Sequence, residues 1–319
     1  MPSFLVQKVA VVVIAASQAL ASRSSSNIFG SYEDFRSRFG RAEQAGSPAG
    51  SFLEARRRGV AAADSVDWRV RVSASRHLVH DQGSCGSCWA VAAVGALEMY
   101  AELNGRATQP LSYEQLVDCV ANPRSCGGNG GCGGATAELA FDYVTKHGLL
   151  EAAHYSGGYQ SDGSNQYKCP DIGKMGSAAV RASGFQRLPV NKVAPLLHHV
   201  SSTGPAVVSV DASRWAHYGH GVFVDCDRNA TVSHDTEKSM DYWLIRNSWS
   251  GDWGEEGHIR LQRHQADAGK EGFCGTDHDN QQGVGCKDDP KEVPVCGMCG
   301  VLSDSSYPTD VAVPRRHPV

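Results

Sequence analysis

The amino-acid sequence predicts an α+β protein in which a helical half precedes a β-rich half. Three observations carry that prediction. Residues 87–101 are apolar on nearly every face, the pattern of a helix buried all round. Two further helical stretches follow, the second stopping at Gly148, a usual helix terminator. Beyond residue 200 the apolar segments are short and rich in β-branched and aromatic residues: Ala206-Val207-Val208-Ser209-Val210, Tyr242-Trp243-Leu244-Ile245 and His258-Ile259-Arg260-Leu261 read as strands. Helices first and strands later indicate two packed halves.

The 319 residues suffice for one large domain or two modest ones, and 41% hydrophobic with 20% charged residues is the balance of a chain that buries a core. A net charge of −4 without a basic stripe argues against a nucleic-acid partner. The 35 glycines and 13 prolines imply many turns, and no internal repeat is visible.

From the N-terminus, residues 1–21 read as a signal peptide. Lys8 supplies a positive charge, 9–16 are unbroken apolar, and Ala19-Leu20-Ala21 is a small-x-small cleavage site. Eight apolar residues are too few for a bilayer that needs about 20, so no membrane anchor is expected. Residues 22–64 are too polar for a core of their own. Tyr32, Phe35 and Phe39 recur there at helical spacing, and 54–58 is helix-compatible. After the buried helix of 87–101, Ser112 and Gln115 form a capping box, and 135–147 form the next helix. The polar stretch 277–294 reads as a long surface loop.

Eleven cysteines behind such a leader imply an oxidising compartment and disulfides, and an odd number leaves at least one thiol if no bridge joins two chains. Asn229-Ala230-Thr231 is a glycosylation sequon that fits the same compartment. Cys85 and Cys88 are three apart. The other Cys-x-x-Cys, Cys296 to Cys299, is too distant for a zinc-ribbon spacing, so no metal or cofactor is expected.

Cys88 heads the buried helix, where the positive end of the helix dipole favours a thiolate nucleophile. Gln82 and the Cys88 backbone N–H are candidate donors to an oxyanion. Gln82-Gly83-Ser84-Cys85-Gly86-Ser87-Cys88-Trp89 contains the Cys-Gly-Ser-Cys-Trp signature of papain and the cathepsins. Five other segments keep that family's order: Ser65 to Arg69, Leu111 to Cys119, Gly131 to Gly134, Asn247-Ser248-Trp249 with Trp253 to Gly257, and Cys299-Gly300 with Ser306-Tyr307-Pro308. The sequence therefore resembles the papain family of cysteine peptidases, cathepsin L-like in kind, over most of residues 64–308.

The resemblance implies a papain-like two-lobed fold, with a helical lobe at about 80–185, a β-rich lobe at about 186–319 and a cleft between them. It implies a shortened pro-segment at 22–64, a peptidase domain at 65–319, and a monomeric thiol endopeptidase acting on proteins or peptides. The destination would be outside the cell or a lysosome or vacuole. Cys88 takes the nucleophile position and Gln82 the oxyanion donor. Asn247 orients the catalytic histidine, Trp249 shields that contact, and Gly134 and Ala135 meet the substrate. Cys85 should pair with Cys132, Cys119 with Cys169, and Cys226 with Cys274 or Cys299. Cys126, Cys286, Cys296 and the leftover cysteine make the remaining two bridges.

The pattern breaks at the histidine. His234 lies 146 residues after Cys88 and 13 before Asn247, the first within the family's spacing of about 130–150. The alternative for His234 is a solvated loop histidine. The apolar strand that follows the family's histidine is replaced by Asp235-Thr236-Glu237-Lys238-Ser239, too polar for a buried strand. That loss predicts a gap in the β-rich core, a loosely held His234 and weak turnover. The competing expectation is an inactive homologue that binds peptides or acts as a decoy. Ala135 stands where the family has the second of two glycines, and residues 277–298 form an insertion with extra cysteines.

Overall fold

The computed structural model describes residues 8–17, 65–76, 79–158, 168–226, 240–263 and 274–314. The apolar stretch headed by Cys88 forms helix α1, Cys88–Leu103, and every residue from Cys88 to Ala101 is buried. Ser112 caps α2, Tyr113–Cys119, its Oγ accepting the Gln115 N–H at 3.1 Å. The reciprocal half of the predicted capping box is not made. The Gln115 side chain instead donates to the Tyr143 hydroxyl at 3.1 Å and accepts the Leu150 N–H at 2.9 Å, stitching α2 to α3, Ala137–His147. Gly148 ends α3 with its N–H on Val144 O. The same glycine leads into Leu149, which bridges to Val180. A fourth helix, α4 (Val193–Ser202), stands in the later half, where the sequence had marked only strands.

The strands are β1 (Lys8–Ser17), β2 (Ser65–Asp67), β3 (Gly184–Arg187), β4 (Ala206–Asp211), β5 (Val222–Phe223), β6 (Tyr242–Arg246), β7 (His258–Gln262), β8 (Cys274–Asp277), β9 (Val293–Cys296) and β10 (Ser305–Thr309). The main sheet runs β3-β10-β4-β1-β6-β7-β5, with β2 alongside β1. The three strands read from the sequence are β4, β6 and β7. The fold class is the predicted α+β, with α1 packed against the sheet and Trp68 tying the start of the domain to α4 through a 2.9 Å bond from Nε1 to Val200 O.

The apolar run read as a leader pairs as a strand within the main sheet. β1 pairs antiparallel with β4 from Lys8↔Asp211 to Val13↔Ala206 and with β6 from Val12↔Arg246 to Ser17↔Tyr242, with a register shift between Val13 and Ala15. A leader core and a sheet strand can both be written as an uninterrupted apolar run. Valine and isoleucine in that run suit a strand. The place between β4 and β6 is thus taken by residues far from His234 in the chain.

Residues 277–294 are not a simple surface loop. β8 and β9 form a separate antiparallel pair, and Asn280 between them is 6% exposed. Its carbonyl accepts the N–H groups of Gly283, Val284 and Gly285, and its Nδ2 donates to Pro290 O at 3.1 Å. A buried asparagine that satisfies the backbone on both sides of a turn can hold a polar segment without an apolar core. The helix expected around Tyr32 to Phe39, the stretch 54–58 and the segment 22–64 lie outside the described residues.

Candidate active site

Ten of the eleven cysteines are bridged, as Cys85–Cys132, Cys119–Cys169, Cys126–Cys286, Cys226–Cys299 and Cys274–Cys296. Cys88 remains a thiol and is buried at the first position of α1. The tight loop before it is set by backbone bonds: Cys85 N–H donates to Gln82 O at 3.2 Å and Ser87 N–H to Cys85 O at 2.8 Å. Gly86 N–H donates to Cys132 O at 3.0 Å, beside the Cys85–Cys132 bridge. Trp89 Nε1 donates to Gly131 O at 3.1 Å, so the nucleophile loop is fastened to the glycine loop at two points besides the disulfide.

Gln82 is 3% exposed and its amide is gripped from both ends. Nε2 donates to Cys85 O at 3.0 Å, while Oε1 accepts the Ser248 hydroxyl at 2.5 Å. A primary amide carries a second N–H, so one donor remains for a ligand. Gln82 N–H also donates to Ser248 O at 3.0 Å, joining the nucleophile loop to the chain after β6. Asn247 is 3% exposed; its N–H donates to Gly257 O at 3.0 Å and its Oδ1 accepts the Ser248 N–H at 2.8 Å. Its Nδ2 is buried with no hydrogen-bond partner among the described residues.

Trp249 bridges to Asp81 and meets Trp253 edge-on, with centroids 5.3 Å apart at 79°. Trp253 stacks on the fully buried Trp215 and donates to its carbonyl at 3.1 Å. Gly134 follows a 3-10 turn at Gly131–Gly133, and Ala135 is 9% exposed. His234 and Asn229 lie outside the described residues.

Sequence reasoning missed Ser248 as the clamp on Gln82. The motif Asn247-Ser248-Trp249 held the signal, since a hydroxyl between two assigned residues must bond somewhere once buried. It also missed Glu98 and Arg246. Glu98 sits in α1 and its carboxyl is pushed up to about 7 by burial, against the Leu111 N–H bond and the neighbouring Arg246 charge. Arg246, at the end of β6 before Asn247, is held below its usual value by burial, opposed by Glu98. Its Nη1 donates to Ala74 O at 3.2 Å. His258, directly across β6–β7 from Arg246, is lowered by burial and holds Nδ1 on Glu256 O at 2.8 Å. These groups lie where the helical half meets the sheet. Among the described residues no cluster of three or more His, Cys, Asp or Glu is arranged to hold a metal, and no helix is long and apolar enough to cross a membrane.

Comparison with known proteins follows the same lines. The profile described as "Papain family cysteine protease" matches residues 62–283, more than half of the chain. Digestive cysteine proteinase 3 of Homarus americanus is 32% identical over 261 residues, covering 79% of this chain and 68% of that protein. Cathepsin K of Mus musculus is 34% identical over 218 residues, covering 64% of this chain and 61% of that protein. For several of the curated relatives, among them vignain of Vigna mungo at 57%, the chain spans less than two thirds of their length. The digestive procathepsin L 3 of Tenebrio molitor larval midgut superposes with a TM-score of 0.55 at 28% identity, covering 79% of this chain and 71% of that one. The bromelain protease of Ananas comosus, solved with the E64 inhibitor, gives 0.54 at 27% identity, covering 76% and 97%.

Proposed function

The chain belongs to the papain family of cysteine proteases, and from that premise we propose that it cleaves internal peptide bonds through a thioester on Cys88. The observation that carries the reading is the placement of Cys88. It is the one cysteine outside the five bridges, at the head of a 16-residue helix, beside a glutamine amide held from both ends.

The thiolate attacks the peptide carbonyl, and the Gln82 side-chain N–H with the Cys88 backbone N–H stabilises the oxyanion. His234, carried over from the family's spacing, is the base. Its imidazolium protonates the departing amine, and water, deprotonated by the same ring, then hydrolyses the thioester. The buried Asn247 amide supports a role in orienting that ring, since its Oδ1 accepts the Ser248 N–H and has a second lone pair for a ring N–H. Trp249 and Trp253 would cover the contact from solvent, and Gly134 with Ala135 would meet the substrate backbone. Five disulfides support action in an oxidising compartment, outside the cell or in a lysosome or vacuole.

The same reading includes weak turnover. The polar run after His234 does not suit a buried strand, and the place between β4 and β6 is taken by Lys8–Ser17. A small misplacement of a reacting group costs about 100-fold in rate. A peptidyl epoxide at mildly acidic pH tests both parts. Stoichiometric labelling of Cys88 together with slow peptide hydrolysis is the expected outcome. Labelling elsewhere, or none at Cys88, rejects the enzyme in favour of a peptide-binding homologue.

A further inference from the structure

The insertion between β7 and β10 is anchored at both ends, and the two anchors lie on different halves of the molecule. At its base, Asn191 donates from Nδ2 to Pro294 O at 2.9 Å and accepts the Cys296 N–H at 2.9 Å, next to the Cys226–Cys299 bridge of the β-rich half. At its tip, Cys286 is bridged to Cys126 in the helical half. Gly127 N–H donates to Gly285 O at 3.0 Å and Lys287 N–H to Arg124 O at 2.8 Å, one on each side of the bridge. Asp289 accepts the Cys286 N–H at 2.8 Å and pairs with Arg124 at 3.5 Å.

Beneath the tip the backbones are stacked without side chains between them. A Cβ on Gly127 would lie 2.9 Å from Ala135 O and 3.1 Å from Gly283 O, and one on Gly134 would lie 2.5 Å from Gly127 O. Asn129 and Gly130 donate their N–H groups to Gly133 O and Gly134 O at 3.1 and 2.7 Å. Insertion tip, residues 126–130 and residues 133–135 thus form three layers in direct contact. Close-packed layers without rotamers to adjust pass a displacement on rather than absorbing it.

We propose that this insertion is a positioning element for the peptide substrate, holding Gly133–Ala135 at a set distance from the β-rich half through Cys126–Cys286 and the Gly127–Gly285 bond. The inference rests on the assignment of Gly134 and Ala135 as substrate contacts. The nucleophile end of the glycine loop has its own anchors in Cys85–Cys132 and Gly86–Cys132. Loss of the tip anchor therefore weakens peptide recognition and leaves the Cys88 thiol as reactive as before.

The test compares the full chain, the double variant Cys126→Ser/Cys286→Ser and the milder Asp289→Asn. Each is treated with a peptidyl epoxide, which must lie along the glycine loop, and with iodoacetamide, which needs only the thiol. The expected result is an epoxide rate at Cys88 reduced about 10-fold in the double variant and less in Asp289→Asn, with iodoacetamide rates within about 2-fold of the parent. Equal epoxide rates in all three chains would overturn the proposal. So would iodoacetamide rates that change in parallel with the epoxide rates. A parent chain that reacts with iodoacetamide but not with the epoxide rejects the peptidase assignment, and this inference with it.

Discussion

The Ser248 hydroxyl donates to the side-chain oxygen of Gln82, 166 residues away in sequence. This bond decides which end of the amide faces Cys85. With Oε1 occupied, Nε2 must be the end turned toward the nucleophile loop, the polarity an oxyanion needs. Ser248→Ala leaves Oε1 buried without a partner, at a cost of about 1–3 kcal/mol in stability. We predict an epoxide labelling rate at Cys88 about 10-fold lower, because a misdirected donor no longer meets the developing charge. Unchanged labelling together with an unchanged unfolding midpoint would contradict the assignment.

Val12 pairs with Val207 on one side and Arg246 on the other, so its backbone lies inside the sheet. Val12→Pro removes an N–H from a strand with neighbours on both sides, a position proline does not occupy. We predict a loss of at least about 1–3 kcal/mol, read by thermal unfolding of the disulfide-bonded full chain. A variant as stable as the parent would show that folding does not depend on β1.

An apolar strand inserted after His234 would compete with Lys8–Ser17 for the place between β4 and β6. Turnover should rise by up to about 100-fold once an apolar strand follows His234. Hydrogen exchange at residues 8–17 should accelerate at the same time. A gain in rate with β1 still protected would mean that the two segments do not share a site.

His199 and Glu98 should give opposite pH dependences. His199 is lowered to about 4, first by burial, opposed by the Pro205 carbonyl and assisted by His198. Its ring also stacks on Tyr307 and meets the Tyr100 hydroxyl at 2.8 Å. Unfolded histidine takes up a proton near pH 6.5 while the folded ring does not, so this contribution is present above about 6.5 and lost as pH falls toward 4. Glu98 is raised from 4.5 to about 7, so its contribution is complete below about 4.5 and lost as pH rises toward 7. Relative to the parent, His199→Gln should therefore fare better as pH falls from 6.5 to 4. Glu98→Gln should fare better as pH rises from 4.5 to 7. Differences in midpoint temperature that do not vary with pH would refute both assignments.

The parts of the fold legible in the sequence are those encoded by neighbours in the chain. Fifteen near-continuous apolar residues could form only a helix buried all round, and α1 is that helix. Alternation and β-branching marked β4, β6 and β7, while α4 escaped notice because its histidines and serines blur its apolar face. The run at residues 9–16 carried a pattern that satisfies a leader and a central strand equally. Its pairing with β4 and β6 is visible only in the folded chain.

By itself the sequence determined the family motifs, the helix that carries Cys88, and, through an odd number of cysteines, that a thiol remains. Tertiary structure alone decided that Cys226 joins Cys299 rather than Cys274, and that Cys126 reaches Cys286 across 160 residues. It alone decided that Ser248 orients Gln82 and that Lys8–Ser17 lies between β4 and β6. The physical reason is one of range. Periodicity and capping act through residues within a turn or two of each other. Disulfide partners, strand neighbours and buried hydrogen bonds are chosen by which atoms the packed core brings together, and that depends on the whole chain at once.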